Sequence, residues 1–172
     1  MDAVKVGQLT NADIYWGDNL CVGRFASFER PKIEYEKVKH ASLGMVAEFD
    51  GPGRQLKALT GKCEVQFLDL DLLPEAYDPT KGIAITMDAP VDIYGSGGID
   101  IARGYRLTWH LTIMFGTTGS GAHKLSNDFK GEWEYSCLRF VEKASNRQVP
   151  LREIDIMAQI NRVNGRDVWS KY

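Results

Sequence analysis

Apolar and polar residues alternate along residues 105–115, and this pattern strongly constrains the structure that the segment can form. Every second residue in this stretch is aromatic or aliphatic, and the residues between are mostly polar. Successive side chains of a β-strand point to opposite faces, so a period of two over eleven residues predicts a long strand with one face on a core. The apolar side chains are Tyr105, Leu107, Trp109, Leu111, Ile113 and Phe115.

A second alternating segment spans residues 132–141. As a regular strand, it would carry on one face Trp133, Tyr135, Cys137, Arg139 and Val141. Shorter strands are expected at residues 20–28, 32–39, 62–67 and 91–101. Glycines interrupt the last of these and indicate a bulge or a turn.

Residues 70–77 form the strongest helix candidate, although the segment is short. It contains Pro74, which a helix tolerates only near its first turn. Several strands separated by glycine-rich turns, with little helix, are typical of an antiparallel β-sandwich or β-barrel. We therefore expect a mainly β fold, an antiparallel sandwich or barrel with one short helix.

The composition is that of a single globular domain. The 172 residues are 44% hydrophobic and 26% charged, which suffices for one sizeable core. A formal net charge of -2 argues against a general nucleic-acid binder, which would present a basic surface to phosphates. No apolar run resembles a secretion signal or approaches the roughly 20 residues that span a bilayer. We expect one domain over residues 1–172, kept in a cytoplasm without membrane insertion.

Cysteine and histidine are too few and too scattered for a metal site. Cys21, Cys63 and Cys137 have no C-x-x-C spacing, and three histidines remain to assist them. We expect buried free thiols, no metal and no cofactor. The odd number of cysteines leaves an intersubunit disulfide as the alternative.

Catalytic motifs are equally hard to find. Ser120 could form a triad with His110 or His123, but it lacks the G-x-S-x-G spacing of a nucleophile elbow. Residues 116–121 are rich in glycine, yet they lack the Gly-Lys-Ser/Thr ending of a phosphate loop. We expect no enzymatic activity and assign no catalytic residue. A rival function is a carbohydrate-binding β-sandwich, in which sugar rings would stack on Trp16, Trp109, Trp133 and Trp169, with Trp16 and Trp169 the more exposed.

Two further segments need an explanation. Residues 40–60 form a connection rich in glycine, and so long a connection in a compact domain usually has a function. Residues 64–100 are acidic, because Lys81 alone opposes eight carboxylates. These are Glu64, Asp69, Asp71, Glu75, Asp78, Asp88, Asp92 and Asp100. The simplest interpretations are a mobile surface loop and a solvated acidic face.

Two blocks at opposite ends of the chain resemble one protein family. E-I-D at residues 153–155 is followed after seven residues by V-N-G-R-D at residues 163–167, and P-K at residues 31–32 precedes G-M at residues 44–45. This spacing resembles that of the major tail tube proteins of contractile-tailed phages and related bacteriocin particles. Residues 47–125 follow the family only in character. Family members usually continue into a further helical stretch, whereas five residues follow the last motif here.

The resemblance implies a structural protein of a phage tail. Subunits would form hexameric rings, join their sheets into a continuous inner β-barrel, and stack into a tube that conducts DNA during ejection without binding it specifically. A contractile sheath would surround the tube. The expected partners are further copies of the chain, the tail sheath protein, the baseplate, the tape measure and the tail terminator. The tail would be assembled in the bacterial host cytoplasm, as part of a virion or of a headless contractile bacteriocin.

The resemblance also implies roles for particular residues. A loop or hairpin arm at about residues 40–61 would reach a neighbouring subunit through Gly44, Met45, Phe49, Leu56 and Leu59. The lumen candidates come from the acidic segment and from the polar face of the 105–115 strand, which could equally lie on the outer wall or in an interface. They are Asp69, Asp71, Asp88, Asp92, Asp100, Thr108, His110 and Thr112. The C-terminal motifs would contact a neighbour through Glu153, Asp155, Asn164 and Asp167.

Overall fold

The computed structural model describes residues 6–121, 125 and 129–169, and most of its regular structure is β-strand. In chain order the elements are β1 (Val6–Leu9), β2 (Asp13–Trp16), β3 (Asn19–Leu20), β4 (Phe25–Phe28), β5 (Tyr35–His40), β6 (Phe49–Leu56), β7 (Thr60–Val65), α1 (Leu73–Tyr77), β8 (Ile83–Gly95), β9 (Gly98–Ile99), β10 (Tyr105–Thr117), β11 (Gly131–Ala144), β12 (Arg152–Asp155), β13 (Ile160–Val163) and β14 (Arg166–Asp167).

Twelve strands form one antiparallel sheet whose main path is β14-β13-β12-β11-β10-β8-β2-β3. β1 continues the edge formed by β2, because it pairs with the second half of β8. β9 folds back on the end of β8, while β7 pairs with both β4 and β11. β5 and β6 form a separate two-stranded hairpin. The expectation of a mainly β, antiparallel fold with one short helix is confirmed.

The alternation along β10 places its side chains as predicted. Trp109, Leu111, Ile113 and Phe115 are buried, and the residues between them lie on the opposite face. β10 pairs with β8 on one side and β11 on the other, so it forms the centre of the sheet. Burying a large apolar side chain contributes about 1.5–3 kcal/mol, which makes this one strand a major part of the core.

β11 departs from a regular strand at Leu138. Its register against β10 shifts between Cys137 and Arg139, and the extra residue forms a β-bulge. Cys137 therefore lies in the core, whereas Arg139 is exposed and Val141 pairs with His110 on the opposite face. The prediction that Arg139 and Val141 share a face with Cys137 is therefore wrong. Periodicity alone does not reveal the residue that the bulge inserts.

β8 spans Ile83–Gly95, although the sequence predicted a strand only from residue 91 onward. Pro90 lacks the N–H that a fully paired central strand would need. β2 pairs with residues 85–88 and β1 with residues 91–94, so Pro90 falls in the gap between two edge partners. The proline is compatible with a long strand because no ladder hydrogen bond is lost there.

Shorter elements differ from expectation mainly in their bounds. The segment predicted as one strand over residues 20–28 divides into the end of β3 and β4, with a turn in which Gly23 has a φ of 78°. The predicted strand over residues 91–101 folds back as the β8–β9 hairpin, which confirms a turn at its glycines. α1 is restricted to five residues and has Pro74 in its first turn, as the sequence requires. No helix within the described ranges has the length and apolar character needed to cross a bilayer.

The core lies on one side of the large sheet. Trp16, Phe115 and Trp133 form its aromatic centre, with ring centroids 5.7 Å apart for the first pair and 5.2 Å apart for the second. Leu72 and Leu73 of the α1 region pack against this cluster. Nε1 of Trp16 also donates a hydrogen bond to Oε2 of Glu75 at 2.9 Å, which ties α1 to the core. The opposite face of the sheet keeps polar, partly exposed side chains.

Candidate assembly surfaces

The side of the sheet opposite the core carries mostly polar side chains, and we name it the polar face. Residues paired directly across neighbouring strands share a face, so the register identifies its members. They are Asp13, Thr86, Asp88, Arg106, Thr108, His110, Thr112, Arg139, Lys143, Glu153, Asp155, Arg162 and Asp167. Three predicted lumen candidates, Thr108, His110 and Thr112, therefore lie on one surface with Asp88.

Asp88 lies in the middle of β8 and contacts two residues of β10. Nη2 of Arg106 is 2.7 Å from Oδ2 of Asp88, and Oγ1 of Thr108 donates to Oδ1 at 3.2 Å. The hydrogen bond with Asp88 raises the pKa of Arg106. Because water still reaches both charged groups, this ion pair orders the side chains more than it stabilises the fold.

A ladder of alternating charges crosses the C-terminal strands on the same face. Arg139 of β11 lies 3.9 Å from Glu153 and 4.0 Å from Asp155, both on β12. Arg162 of β13 lies 3.9 Å from Glu153 and 3.1 Å from Asp167 of β14. Three predicted contact residues thus have ion pairs inside the subunit. The polar face is mixed in charge and is not uniformly acidic.

His110 occupies a shallow recess of about 400 Å³ on the polar face, lined also by Thr86, Arg139 and Lys143. Its Nδ1 lies 3.2 Å from Oγ1 of Thr86. Burial lowers the pKa of His110, and the positive charges of Lys143 and Arg139 lower it further. The neutral form of His110 is therefore favoured over the charged form on this face.

The acidic segment does not form one surface. Three predicted lumen candidates lie outside the polar face, namely Asp69, Asp71 and Asp100. Asp69 precedes α1, where its Oδ2 accepts a hydrogen bond from Nε of Arg24 at 2.6 Å, and this bond lowers the pKa of Asp69. Asp92 lies on the same side of β8 as Asp88, but it pairs with β1 instead of β2. The structure does not bring the five predicted aspartates together.

Cations from outside the acidic segment neutralise much of it. The pairs are Glu64 with Lys130 at 3.1 Å, Asp69 with Arg24 at 2.6 Å, Asp88 with Arg106 at 2.7 Å and Asp100 with Arg103 at 3.1 Å. The charge count of residues 64–100 therefore overstates the negative electrostatic field, because the neutralising cations lie on other strands and turns.

The β5–β6 hairpin has two faces of different character. One face carries Val38, His40 and Phe49, and the ring of His40 stacks on Phe49 with centroids 4.8 Å apart. The other face carries Lys37 and Lys39. Val38 and Phe49 are both exposed, so the described residues leave an apolar face of the hairpin uncovered. Two-stranded hairpins without a further layer are marginally stable in water, which makes a covering partner valuable.

The hairpin tip contains the first predicted arm residues. Gly44 has a φ of 92°, which favours glycine, and Met45 follows it. Leu43 and Val46 on either side are fully exposed. The tip is therefore apolar and available for contact.

Leu59 does not belong to this hairpin. Its side chain is only 2% exposed and lies in the core, and its carbonyl oxygen accepts a hydrogen bond from the N–H of Cys137 at 2.7 Å. Leu56, at the end of β6, packs partly against the same core. The prediction that Leu59 is an apolar anchor of the arm is wrong, because the chain has already returned to the sheet at that residue.

β12, β13 and β14 form a meander at one end of the sheet. Ile154 is 1% exposed and enters the core, so the flanking Glu153 and Asp155 turn to the polar face. Asn164 and Gly165 have φ values of 51° and 77° and form the two-residue turn between β13 and β14. Among the described residues, no strand pairs with the outer edge of β14.

Sequence reasoning missed a contact between the hairpin and the C-terminal strands. Nδ2 of Asn161 donates a hydrogen bond to Oη of Tyr35 at 3.0 Å, across 126 positions of sequence. The ring of Trp169 packs edge-on against that of Tyr35, with centroids 6.2 Å apart. No periodicity or motif signals such a contact, since it arises only when β13 is placed beside the base of β5.

The three cysteines are free and buried. Burial raises the pKa of Cys63 to about 12. It also raises the pKa of Cys137 to about 11 and that of Cys21 above its usual value. Neutral, enclosed thiols of this kind are poorly placed for disulfides between subunits.

The structure gives little support to the alternative functions, which are carbohydrate binding and catalysis. Trp16, Trp109 and Trp133 are buried, so they offer no platform for sugar rings, and the expectation that Trp16 is exposed is wrong. His123, considered for a catalytic triad, lies outside the described residues. Within the described ranges, His, Cys, Asp and Glu side chains form no group of three that could hold a metal ion.

Comparison with known proteins gives a family and a fold. A family model described as phage tail tube protein FII matches residues 7–172. Among curated proteins, no sequence matches significantly.

Two solved structures of an extracellular contractile injection system, PVC, are similar to this chain. The first, described as the sheath/tube terminator in the extended state, has 15% identity and a TM-score of 0.51, and covers 77% of this chain and 92% of that one. The second, described as the sheath-tube complex in the extended state, has 14% identity and a TM-score of 0.51, and covers 77% of this chain and 88% of that one. At such identities the similarity concerns the fold alone.

Proposed function

Because the chain belongs to the phage tail tube protein FII family, we propose that it polymerises into the inner tube of a contractile tail. The chain is a structural protein and not an enzyme. In the proposed assembly, hexameric rings stack into a tube, a contractile sheath surrounds the tube, and DNA passes through its bore during ejection.

The observation that carries this proposal is a sheet with a core on one side and a polar face on the other. An open sheet has strand edges with unpaired backbone groups, which invite further strands. Here β1 lies at one side of the sheet and β14 ends the other. Head-to-tail pairing of such edges around a rotation axis closes a ring and satisfies those groups. The sheets then form a continuous barrel with the polar face turned to the bore.

The mixed charge of the polar face suits passage of DNA. A uniformly basic bore would bind phosphates strongly, because each neutralised phosphate releases counterions. On this face Arg106 and Arg162 each lie beside a carboxylate, at 2.7 Å from Asp88 and 3.1 Å from Asp167. The cations are thus partly compensated before DNA arrives, and the proposal needs no specific DNA contact.

The exposed β5–β6 hairpin is the proposed contact between successive rings. Its apolar face and tip find no cover in the described subunit, and burial against a second copy would remove them from water. Gly44, Met45 and Phe49 would lie in this contact, with Leu56 at its base. The meander carrying Glu153, Asp155, Asn164 and Asp167 would present its β14 edge to a neighbour in the ring.

The further partners follow from a tube inside a contractile tail. We propose the tail sheath protein on the outer wall, the tail terminator at one end, and the baseplate and tape measure during assembly in the bacterial host cytoplasm. The similar PVC structures are described as containing sheath and tube or terminator. A DNA-carrying virion and a headless bacteriocin particle would use the same subunit contacts.

Electron microscopy of labelled tubes tests the proposal. A biotin attached at Thr108→Cys, on the polar face, is expected to bind streptavidin in dispersed subunits but not in assembled hollow tubes. A biotin attached at Leu70→Cys is the matched control, because Leu70 is exposed and precedes α1 on the core-covering side. It is expected to bind streptavidin in both states.

End views of the tubes are expected to show six-fold symmetry. A chain that stays dispersed at every concentration contradicts self-assembly. Tubes that bind streptavidin through Thr108→Cys along their outer wall would reverse the assignment of the polar face to the bore.

A further inference from the structure

Four residues join the hairpin to the C-terminal strands, and we name them the hairpin joint: Tyr35, Arg54, Asn161 and Trp169. Tyr35 contributes both its hydroxyl, which accepts from Nδ2 of Asn161 at 3.0 Å, and its ring, which meets that of Trp169 at 88°. The guanidinium carbon of Arg54 lies 5.7 Å from the centroid of the Trp169 ring. The joint thus connects both hairpin strands to residues that follow β12.

Other contacts fix only the root of the hairpin. Ile33 and Leu56 pack partly against the core, and Nζ of Lys57 lies 2.7 Å from Oε1 of Glu34, which closes the root. Neither β5 nor β6 pairs with a strand of the large sheet. A hairpin held only at its root can rotate about it. The hairpin joint also lies near this root, because Tyr35 begins β5, and it adds contacts with the C-terminal strands that limit the rotation and so the direction of the hairpin.

The length of the hairpin makes that direction important. β6 has eight residues, and at about 3.3 Å per residue its far end lies roughly 26 Å from its root. A rotation of about 10° at the root would therefore displace the tip by roughly 4–5 Å, which is about the spacing between neighbouring strands. A contact between rings would not tolerate such a displacement.

The composition of the joint favours a defined geometry. Oδ1 of Asn161 and Nε1 of Trp169 are buried and have no hydrogen-bond partner within the described structure. Buried polar groups without partners are rare, because each loses its bonds to water. An apolar contact of the same size would avoid that loss, but it would not impose the directional hydrogen bond that Asn161 makes with Tyr35.

We propose that Asn161 and Trp169 are positioning residues that set the angle between the β5–β6 hairpin and the sheet. The C-terminal strands thereby align the hairpin with its site on the next ring. This role rests on the proposed function, since it takes the hairpin as the contact between rings. The proposal gives the C-terminal segment a task inside its own subunit, separate from any contact made by β14.

Distance measurements between paired nitroxide labels test the joint directly. One label is attached at Leu43→Cys in the exposed tip and the other at Lys143→Cys on β11, while the native cysteines remain buried. In dispersed subunits the distance distribution is expected to be narrow. Asn161→Leu and Trp169→Ala are expected to widen or shift it by about 5 Å, the displacement estimated from the hairpin length.

Two conservative variants separate positioning from general loss of structure. Tyr35→Phe removes the hydroxyl that accepts from Asn161 and keeps the ring, and it is expected to widen the distribution with little change in melting temperature. Tyr94→Phe is the matched control. It removes a hydrogen bond of similar length, 2.8 Å to Oε1 of Gln8, at the opposite side of the sheet, and it is expected to leave the distribution unchanged.

Tube formation by the same variants separates this inference from the proposed function. Joint variants are expected to keep folded subunits but to form fewer and shorter tubes than the wild type and Tyr94→Phe. An unchanged distance distribution in Tyr35→Phe and Asn161→Leu overturns the positioning role. If the joint variants change the distance distribution but form normal tubes, the proposed connection between the hairpin joint and ring stacking is overturned. If the wild type itself forms no tubes while the joint variants still change the distribution, the proposed function fails and the joint stands.

Discussion

At the scale of single residues, the turn between β13 and β14 depends on backbone conformations that few residues adopt. Asn164 and Gly165 both have positive φ, at 51° and 77°. This is the requirement of a type I′ hairpin turn, and Asn-Gly meets it better than almost any other pair. The motif that first indicated the family therefore has a local physical purpose, which is to reverse the chain at the sheet edge.

Gly165→Ala is expected to destabilise the fold by about 1–3 kcal/mol, because an L side chain is strained at this φ. A Cβ at Gly165 would also lie 2.7 Å from Cγ1 of Val149. Urea unfolding measures the change. Val149→Ala combined with Gly165→Ala is expected to relieve the contact but keep the backbone strain.

The matched control for this substitution is Gly97→Ala. No atom lies within 4 Å of a Cβ at Gly97, and its φ is not in the left-handed region, so its stability is expected to stay near that of the wild type. Equal losses from both substitutions would mean that the turn at Gly165 is not special.

Cys63 is expected to make stability depend on alkaline pH. Burial raises its pKa from 9.0 to about 12, so the folded state favours the neutral thiol. That contribution is complete below pH 9 and is lost as the pH rises toward about 12, because the unfolded thiol ionises first. The free energy of unfolding is thus expected to fall more steeply with pH in the wild type than in Cys63→Ala.

Urea unfolding at a series of pH values in this interval measures both slopes. All other ionisable groups are the same in both proteins, so their contributions cancel in the comparison. Parallel slopes would show that Cys63 ionises as easily in the folded state as in the unfolded state.

At the scale of elements, β8 and the β5–β6 hairpin show how neighbours decide what a segment becomes. β8 runs through Pro90 because its edge partners change at that residue. The hairpin forms from a segment whose glycines and proline first indicate a loop, and it lies outside the large sheet. In both elements, the hydrogen-bond partners available to the backbone N–H and C=O groups determine where a strand can form.

Replacing residues 41–48 by Asn-Gly is expected to keep the subunit folded but to prevent long tubes. His40 pairs with Phe49, so a two-residue turn can join β5 to β6 directly. The removed side chains of Leu43 and Val46 are fully exposed, and the melting temperature is expected to change little. Negative-stain microscopy measures tube length.

The double variant L43S/V46S is the companion to this replacement, because it keeps the loop length and removes the apolar side chains. Short tubes from both variants would assign the effect to apolar contact, and short tubes from the replacement alone would assign it to reach. Tubes of normal length from the shortened chain would refute the hairpin as a ring contact.

At the scale of the whole molecule, one sheet serves two environments. Its core face is aromatic and aliphatic, and its polar face carries charges that are compensated between strands. This division suits a subunit whose second face meets water in a larger assembly. It also explains why the acidic segment has no single surface of its own, since its members lie on β7 and β8, in and beside α1, and after β9.

The sequence by itself determined what local rules govern. The period of two along residues 105–115 specified a long strand and its core face, and the spacing of the end motifs indicated the family. The strand depends on neighbours only a few positions away, where side-chain direction is nearly fixed by backbone geometry, and the motifs can be read directly from residue identity and spacing.

Only the tertiary structure decided what distant residues share. The bulge at Leu138 moved Arg139 to the polar face, the return of the chain placed Leu59 in the core, and the packing of β13 beside the hairpin brought Asn161 to Tyr35. These outcomes depend on strand register and on partners up to 126 positions away. A one-residue change of register reverses the face of every following side chain, and no local pattern carries that information.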